Sequence, residues 1–475
     1  MRKIVTALLA AATCLTMSAQ QRLTLQQAIS QAQDSTYLAA MAEAGYQKEI
    51  WKYREFQSGL KPHLNLTLRP EYRNEAYDHE KTFVLPRDYD ILSTVAELTL
   101  DQKITSLGGD LYVSSLGIWS EYFNDSFGSE RLFGVSPLRI GYQHSLIGFN
   151  PHKWDMRIQE ARATDAEKRY SYESYEIARR TASLYFNAVK ALSLYQMYRD
   201  NAETSKLLYD IGEEKFNITF IRNDELATLK LQWMNASNMA DVAEVKLQDA
   251  LSMLCSFLRI PYDPELELIV PQNPERKLID RDKVYELVRN NNPVYTGNTL
   301  KVLQSSREEE KARKEKGVQI GVDANIGLQH YATGLGPAIT DQTVYSISGV
   351  TFSIPLVDQG SRKNRHNAAM YDLRAAEAQQ AEDIRSLSAE VELAIRDFET
   401  YQRLLDGAQK AAELADETYK QANENYANGI ADLNTFSIAQ TKREDAHTNY
   451  LNVLEAYWNA YYSLSLLCVA DILEI

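Results

Sequence analysis

Two stretches of this chain, offset by 210 positions (Phe216 against Tyr426), carry nearly the same pattern. The first reads FNITFIRNDELATLKLQWMNASNMADVAEVKLQDALSMLCSFL from Phe216. The second reads YANGIADLNTFSIAQTKREDAHTNYLNVLEAYWNAYYSLSLLC from Tyr426. Without gaps, Leu226 meets Phe436, Ala250 meets Ala460 and Leu254 meets Leu464. Each copy is a short break followed by a long helix with one apolar stripe. A fainter pair opens each half, LTLQQAISQAQDSTY from Leu23 and RDKVYELVRNNNPVY from Arg281. A repeat of this size is expected to be one supersecondary block used twice around a shared axis. The expected halves are 20–270 and 271–475.

The block contains a rod. From Ser361 to about Asn428 there is no proline, and apolar residues step by three and four. The series includes Ile384, Leu387, Val391, Ala394, Phe398, Tyr401, Leu405, Ala408, Ala412 and Tyr419. A heptad seam sustained this long specifies helix packed on helix. About 68 residues at 1.5 Å per residue make ~100 Å of helix. After Asn428-Gly429, which suits a helix end with a left-handed residue, the pattern resumes from about Asp432 to Val469, interrupted by Arg443. The two helices are expected to fold back as an antiparallel hairpin over 361–469. The first half predicts the same plan over 151–258, with a break at Phe216 to Asn223.

Between these rods and the shorter helices the period changes to two. Ile320, Val322, Ala324, Ile326 and Leu328 alternate with Gln319, Gly321, Asp323, Asn325, Gly327 and Gln329. A partner strand carries Val350, Phe352, Ile354 and Leu356, closing a hairpin at about 318–357, with Tyr331 to Gln342 read as its loop. In the first half, Leu64, Leu66 and Leu68 alternate with polar residues, as do Leu138, Ile140, Tyr142 and Leu146, within a β region of about 63–149. Strands near ten residues, apolar on one side and polar on the other, are the pattern of an outer-membrane barrel. Four strands per chain is the default. The first β region is longer than its counterpart, and Ile91 to Asp125 has room for an added hairpin.

The first 19 residues read as a secretory leader: Arg2 and Lys3, an apolar run, then Ser18-Ala19. Cys14 sits in a poor context for lipidation. Without the leader's two cations, 49 basic residues face 65 acidic ones, which argues against nucleic-acid binding. Only Cys255 and Cys468 remain, too few for a disulfide framework and read as small buried apolar residues. No later segment reaches the ~18 apolar residues of a membrane-spanning helix, so any passage through a membrane is by a barrel. The histidines are scattered, and neither H-E-x-x-H, a P-loop nor G-x-S-x-G occurs. No catalytic residue, metal site or cofactor is expected, and the chain reads as no enzyme.

A duplicated block of short helix, β-hairpin, rod and return rod behind a leader resembles the TolC family of outer-membrane efflux proteins. LTLQQAISQA at Leu23 resembles that family's opening motif and NNPVY at Asn291 its second copy. SLIGFNPHKW from Ser145 and SIPLVDQGSRKNR from Ser353 sit where strand passes into rod, and YANGIADLNTF from Tyr426 sits at the periplasmic tip. The resemblance implies a mixed α and β fold: a trimeric outer-membrane barrel continued by a coiled-coil tunnel into the periplasm. It implies a passive exit duct, joined as a homotrimer in outer-membrane lipid to a periplasmic adaptor (membrane fusion) protein and an inner-membrane transporter. Acidic residues ring the tip in that family. Here the aligned places fall near Asn434 and Ser437, with Asp224, Glu225 and Asp432 as nearby substitutes and Gly429 as the tip turn. These acids also suit helix N-termini. The polar set Gln319, Asp323, Asn325 and Gln329 is expected to face the barrel lumen. A poreless periplasmic scaffold or adhesin is the alternative; a single-chain porin is disfavoured by the heptads.

Overall fold

Alternation at period two and at seven both become real elements. The computed structural model describes residues 22–75, 89–106, 108–124, 128–217, 221–271, 276–428 and 430–472. The leader at 1–19, with Cys14, and Gly429 lie outside the described residues. The strands are β1 (Arg22–Leu23), β2 (His63–Glu75), β3 (Tyr89–Ile104), β4 (Gly109–Asn124), β5 (Gly128–Ile147), β6 (Glu267–Leu268), β7 (Gln319–Ala332) and β8 (Thr343–Ser353). The helices are α1 (Leu25–Ser35), α2 (Tyr37–Gly59), α3 (Pro151–Asn217), α4 (Asn223–Leu258), α5 (Arg281–Asn291), α6 (Pro293–Glu315), α7 (Leu335–Thr340), α8 (Ser361–Ala427) and α9 (Leu433–Cys468).

The rods α3 and α8 are 67 residues each, and their return helices α4 and α9 are 36 each. The return helices also stop alike, at left-handed caps Arg259 and Val469. The chain divides into two compact units that cut across its two halves. One gathers the segment to Tyr46, Glu167–Tyr295 and everything from Ile384; the other gathers Gln47–Ala166 and Thr296–Asp383.

The first unit is helical. Val391, Ile395 and Phe398 of α8 are buried against Leu454, Tyr457 and Leu464 of α9 and Leu254 and Leu258 of α4. The heptad reading placed Ala394 in this seam; the fully buried neighbour is Ile395. A 3.6-residue turn drifts against a seven-residue count, so the wider apolar stripe takes in the adjacent position. The short parallel pair β1·β6 brings the start and the end of the first half together, Leu23 opposite Leu268. The buried Tyr185 hydroxyl of α3 lies 2.8 Å from the Leu23 carbonyl oxygen and 2.7 Å from that of Ile269, fastening this pair to the rod. Helix α1 begins with a full capping box, Thr24 with Gln27. Cys255 and Cys468 are buried free thiols, and burial pushes Cys468 up to about 12.

Arg443, the interruption of the α9 seam, sits in a polar layer. Its Nε donates to Asp416 (2.7 Å), and its guanidinium lies 4.7 Å from the Tyr419 ring centre. His447 Nε2 is 2.9 Å from the same carboxylate. Asn201 of α3, almost fully buried, donates to Glu444 at 2.7 Å. Burial raises the Glu444 carboxyl above its ordinary value of 4.5 and outweighs its hydrogen bonds. A carboxyl whose folded value is raised contributes stability below its unfolded value, and that contribution is lost as pH rises through the folded one. Glu444→Gln is therefore expected to melt above the native protein at pH 7, with the gap closing as the pH falls to about 4. A gap unchanged by pH in thermal melts would remove the burial account.

The second unit holds one antiparallel sheet of six strands in the order β2-β3-β4-β5-β7-β8. The default of four strands is corrected: β3 and β4 form the added hairpin between β2 and β5. Both are 16 residues long, as tall as their neighbours. They are hard to read from sequence because one of their faces mixes Thr99, Val95, Leu116 and Ile118, which blurs the alternation. The expected loop between β7 and β8 is also corrected, since it contains the short helix α7, whose Ala338 is fully buried. Around the sheet's strand-to-helix junctions, Trp154 of α3 donates to Glu310 of α6 (3.0 Å) and His366 of α8 lies 3.2 Å from Glu309.

Candidate channel lining and tip

The sheet's register separates its side chains into two faces. Residues directly opposite one another across a ladder share a face. Asn65 faces Thr99, which faces Ser114; Ser114 faces Arg139, which faces Gly327. On this polar face Arg139 donates to Glu97 (2.7 Å) and Ser114 (3.0 Å) and lies over the Tyr112 ring. Asp323 is opposite Gln143 and Gly349, Asn325 is opposite Gly141 and Ile347, Gln319 is opposite Ser353, and Gln329 is opposite Thr343. The four residues expected to face a lumen thus share one face with each other and with the Glu97–Arg139 pair. Gly141 leaves the space that Tyr112 fills: a Cβ there would meet the ring at 2.2 Å.

The opposite face is apolar and bare. Leu64, Leu66 and Leu68 of β2, Leu98 and Leu100 of β3, Ile140 of β5, Ile326 of β7 and Val350 and Phe352 of β8 all lie on it, each exposed. Leu66 is 65% exposed and Phe352 62%. An apolar surface this continuous is a liability in water and the ordinary outer face of a membrane barrel. No described helix is long and apolar enough to cross a membrane.

Beside the two breaks, the return helices pack on each other and on α3. Phe436 is buried with Leu208 and Leu229, and the rings of Tyr426 and Tyr419 lie 5.7 and 5.8 Å from it. Ser437 accepts a 2.6 Å hydrogen bond from Gln232 of α4, tying one return helix to the other. Asp432 is the N-cap of α9: it accepts from the Thr435 amide (2.8 Å) and hydroxyl (2.5 Å). Those donors hold its carboxyl below the usual range. Asp224 lies in the first turn of α4 and is claimed by Arg222, whose guanidinium also holds it low. Within one chain these acids are therefore stabilised as anions, where mutual repulsion alone would raise them. Glu225 is half-buried beside Tyr426; burial first, and then the Glu225 charge, raises that phenol. Asn434 is exposed.

Asp432→Ala is expected to cost the α9 start about 1 kcal/mol, and Asp432→Asn only a few tenths, because the amide oxygen can still accept from Thr435. Thermal melts and amide exchange over 433–436 measure this. Equal losses for both substitutions would mean that the charge, not the cap, holds the turn.

A sheet with one apolar and one polar face, alternating along the chain with paired heptad rods, is the pattern that the channel resemblance implies. Residues 290–468 match the model of the outer membrane efflux protein family. Its fold is similar to the CmeC outer membrane channel of Campylobacter jejuni, at TM-score 0.68 and 15% identity over 94% of this chain and 85% of that one. It is similar to VceC of Vibrio cholerae, at TM-score 0.66 and 12% identity over 94% and 96%. It is also similar to the open state of the Neisseria gonorrhoeae MtrE channel, at TM-score 0.63 and 13% identity over 94% and 89%. No curated protein sequence matches the chain.

Sequence reasoning missed Arg222, Gln232, Glu97 and Arg139. One signal was available for the first: at the 210-residue offset Arg222 aligns with the cap Asp432, so the first copy replaces a capping acid with a cation that pairs the next acid. Glu97 and Arg139 become visible only once β3 is placed between β2 and β4.

Proposed function

We propose that the chain is the outer-membrane component of a tripartite efflux or secretion system, a passive duct from periplasm to exterior. The observation that carries this reading is the open sheet. Strands β2 and β8 end it with 13 and 11 residues, and long uncovered edges beside an apolar face invite pairing with another chain. One sheet of six strands is too small to close a water-filled barrel. Three chains close it, β8 of one copy pairing with β2 of the next, and three times six gives 18 strands. The block structure of 20–270 and 271–475 then supplies a quasi-symmetric ring. Gln319, Asp323, Asn325 and Gln329 line the water-filled side. A periplasmic adaptor grips the helix ends, and an inner-membrane transporter supplies the energy.

Native mass spectrometry in mild detergent, followed by planar-bilayer recording, tests this. Trimers that conduct support it; monomers without conductance under all mild conditions would favour the poreless scaffold.

At the tip, Asp224, Glu225, Asp432, Asn434 and Ser437 stand around the entrance in this reading, with Gly429 at the turn. Because Asp432 is engaged as a cap and Asp224 by Arg222, Glu225 is the acid whose charge most directly meets passing ions. Glu225→Gln is expected to reduce cation preference in single-channel recordings, and Arg222→Gln, which releases Asp224, to increase it. Reversal potentials unmoved by either change, in intact trimers, would demote the tip acids to helix-end residues.

A further inference from the structure

We infer that the β3–β4 hairpin is an insertion built into the barrel wall, which makes the exit wider than the set of helices that feeds it. The inference rests on the trimeric channel reading above. In the sheet-bearing unit, four strands connect directly to a helix: α2 leads into β2, β5 into α3, α6 into β7, and β8 into α8. Strands β3 and β4 connect to none. They are joined to each other by a tight turn through Gly108, whose φ of +78° suits glycine. Six strands therefore stand on four helices in each chain, and 18 on 12 in three chains.

Three observations make the pair part of the wall. It is paired along most of its length, to β2 from Glu75 to His63 and to β5 from Asn124 to Gly109 with one register shift at Ser114/Leu116. It keeps the two-faced pattern, with Leu98, Leu100 and Val113 on the apolar side and Thr99, Asp101 and Ser114 on the polar side. Its helix-end turn is anchored where strand passes into rod: Gly108 lies so near the Asn150 side chain that a Cβ would sit 2.5 Å from Nδ2, and His152 pairs with Asp110 at 3.4 Å. The pair is also topologically separable. Glu75 pairs with Tyr89 and Asn124 with Gly128, so both ends of the insertion lie at the same end of the sheet. Removing it leaves β2 and β5 antiparallel and free to become neighbours.

The consequence is size. With strands about 4.8 Å apart and tilted about 40°, 18 strands enclose a cylinder about 36 Å across between backbones, against about 24 Å for 12. Inward side chains take about 10 Å from either, leaving a lumen of about 26 Å in place of about 14 Å. A barrel of this width sets no size limit on drug-sized solutes and admits hydrated polymers from outside.

The test is polymer exclusion in planar bilayers, using the full chain and a variant lacking residues 89–127. A neutral polyethylene glycol about 20 Å across, between the two estimated lumens, is added on the exterior side. It is expected to lower the conductance of the full-length trimer and leave that of the variant unchanged. Equal cutoffs in two trimeric channels would overturn the inference. Absence of trimers or of any channel in the full-length protein would instead overturn the channel reading. If the shortened chain does not fold, spin labels at Leu98→Cys and Thr99→Cys in the full chain decide the matter. The first is expected to collide mainly with oxygen dissolved in lipid and the second with an aqueous nickel chelate. Aqueous collisions at both positions would place the hairpin outside the wall and overturn the inference.

Discussion

Phe398→Ala is expected to destabilise the helical unit by about 3–5 kcal/mol, the range for emptying a fully buried aromatic site. Phe398 is 1% exposed, and its ring centre lies 5.3 Å from that of Tyr457 and 6.5 Å from that of Tyr461. Those partners belong to a chain of rings through Trp458 and Phe186, so the site cannot collapse without moving α9 and α3 together. Better intrinsic helix propensity returns only about 0.5 kcal/mol. The matched control is Leu393→Ala on the same helix. Leu393 is 48% exposed, and surface changes of this kind usually stay within about 0.5 kcal/mol. Urea unfolding in detergent, followed by tryptophan fluorescence, compares them. Similar losses for both would mean that Leu393 is covered in the assembly and that the single-chain core is not what holds the rods.

The same residues show what the sequence carried and what it hid. The rods were legible because their signal is redundant: any one of Leu387, Val391 or Leu405 could be lost and the seven-residue spacing would still be read. Their ends were legible to within two residues, since Asp432 and Pro151 mark helix starts by local chemistry. The β7–β8 pair was legible because Ile320 to Leu328 alternates without a fault. The β3–β4 pair was not, because membership in a sheet is decided by neighbours distant in sequence, and the face it shares with Arg139 is only partly polar. The tip candidates flank the breaks between rods and return helices, but their states were hidden. Nothing in the local sequence says that Arg222 turns onto Asp224, or that Gln232 reaches Ser437 across 205 positions. Contacts between the two copies depend on how the rods pack, and a single-helix pattern cannot carry that.

Two adjacent residues offer the sharpest test of the sheet's polarity. Ile326 and Asn325 are neighbours in the middle of β7 and point to opposite faces. Ile326 is 53% exposed on the apolar face, opposite Ile140 and Ser346, while Asn325 is opposite Gly141 on the face that holds Arg139. If the apolar face meets lipid, Ile326→Arg puts a guanidinium near the bilayer midplane, at a cost of about 2–4 kcal/mol. Asn325→Arg puts the same group in water, where it is expected to leave stability nearly unchanged and to shift ion preference toward anions. Denaturant titrations of folding into lipid vesicles supply the first comparison and reversal potentials the second. The reverse order of costs would invert the sheet. Equal small costs would mean that neither face meets lipid, and the bare leucines of β2 would then need a protein partner in place of a membrane.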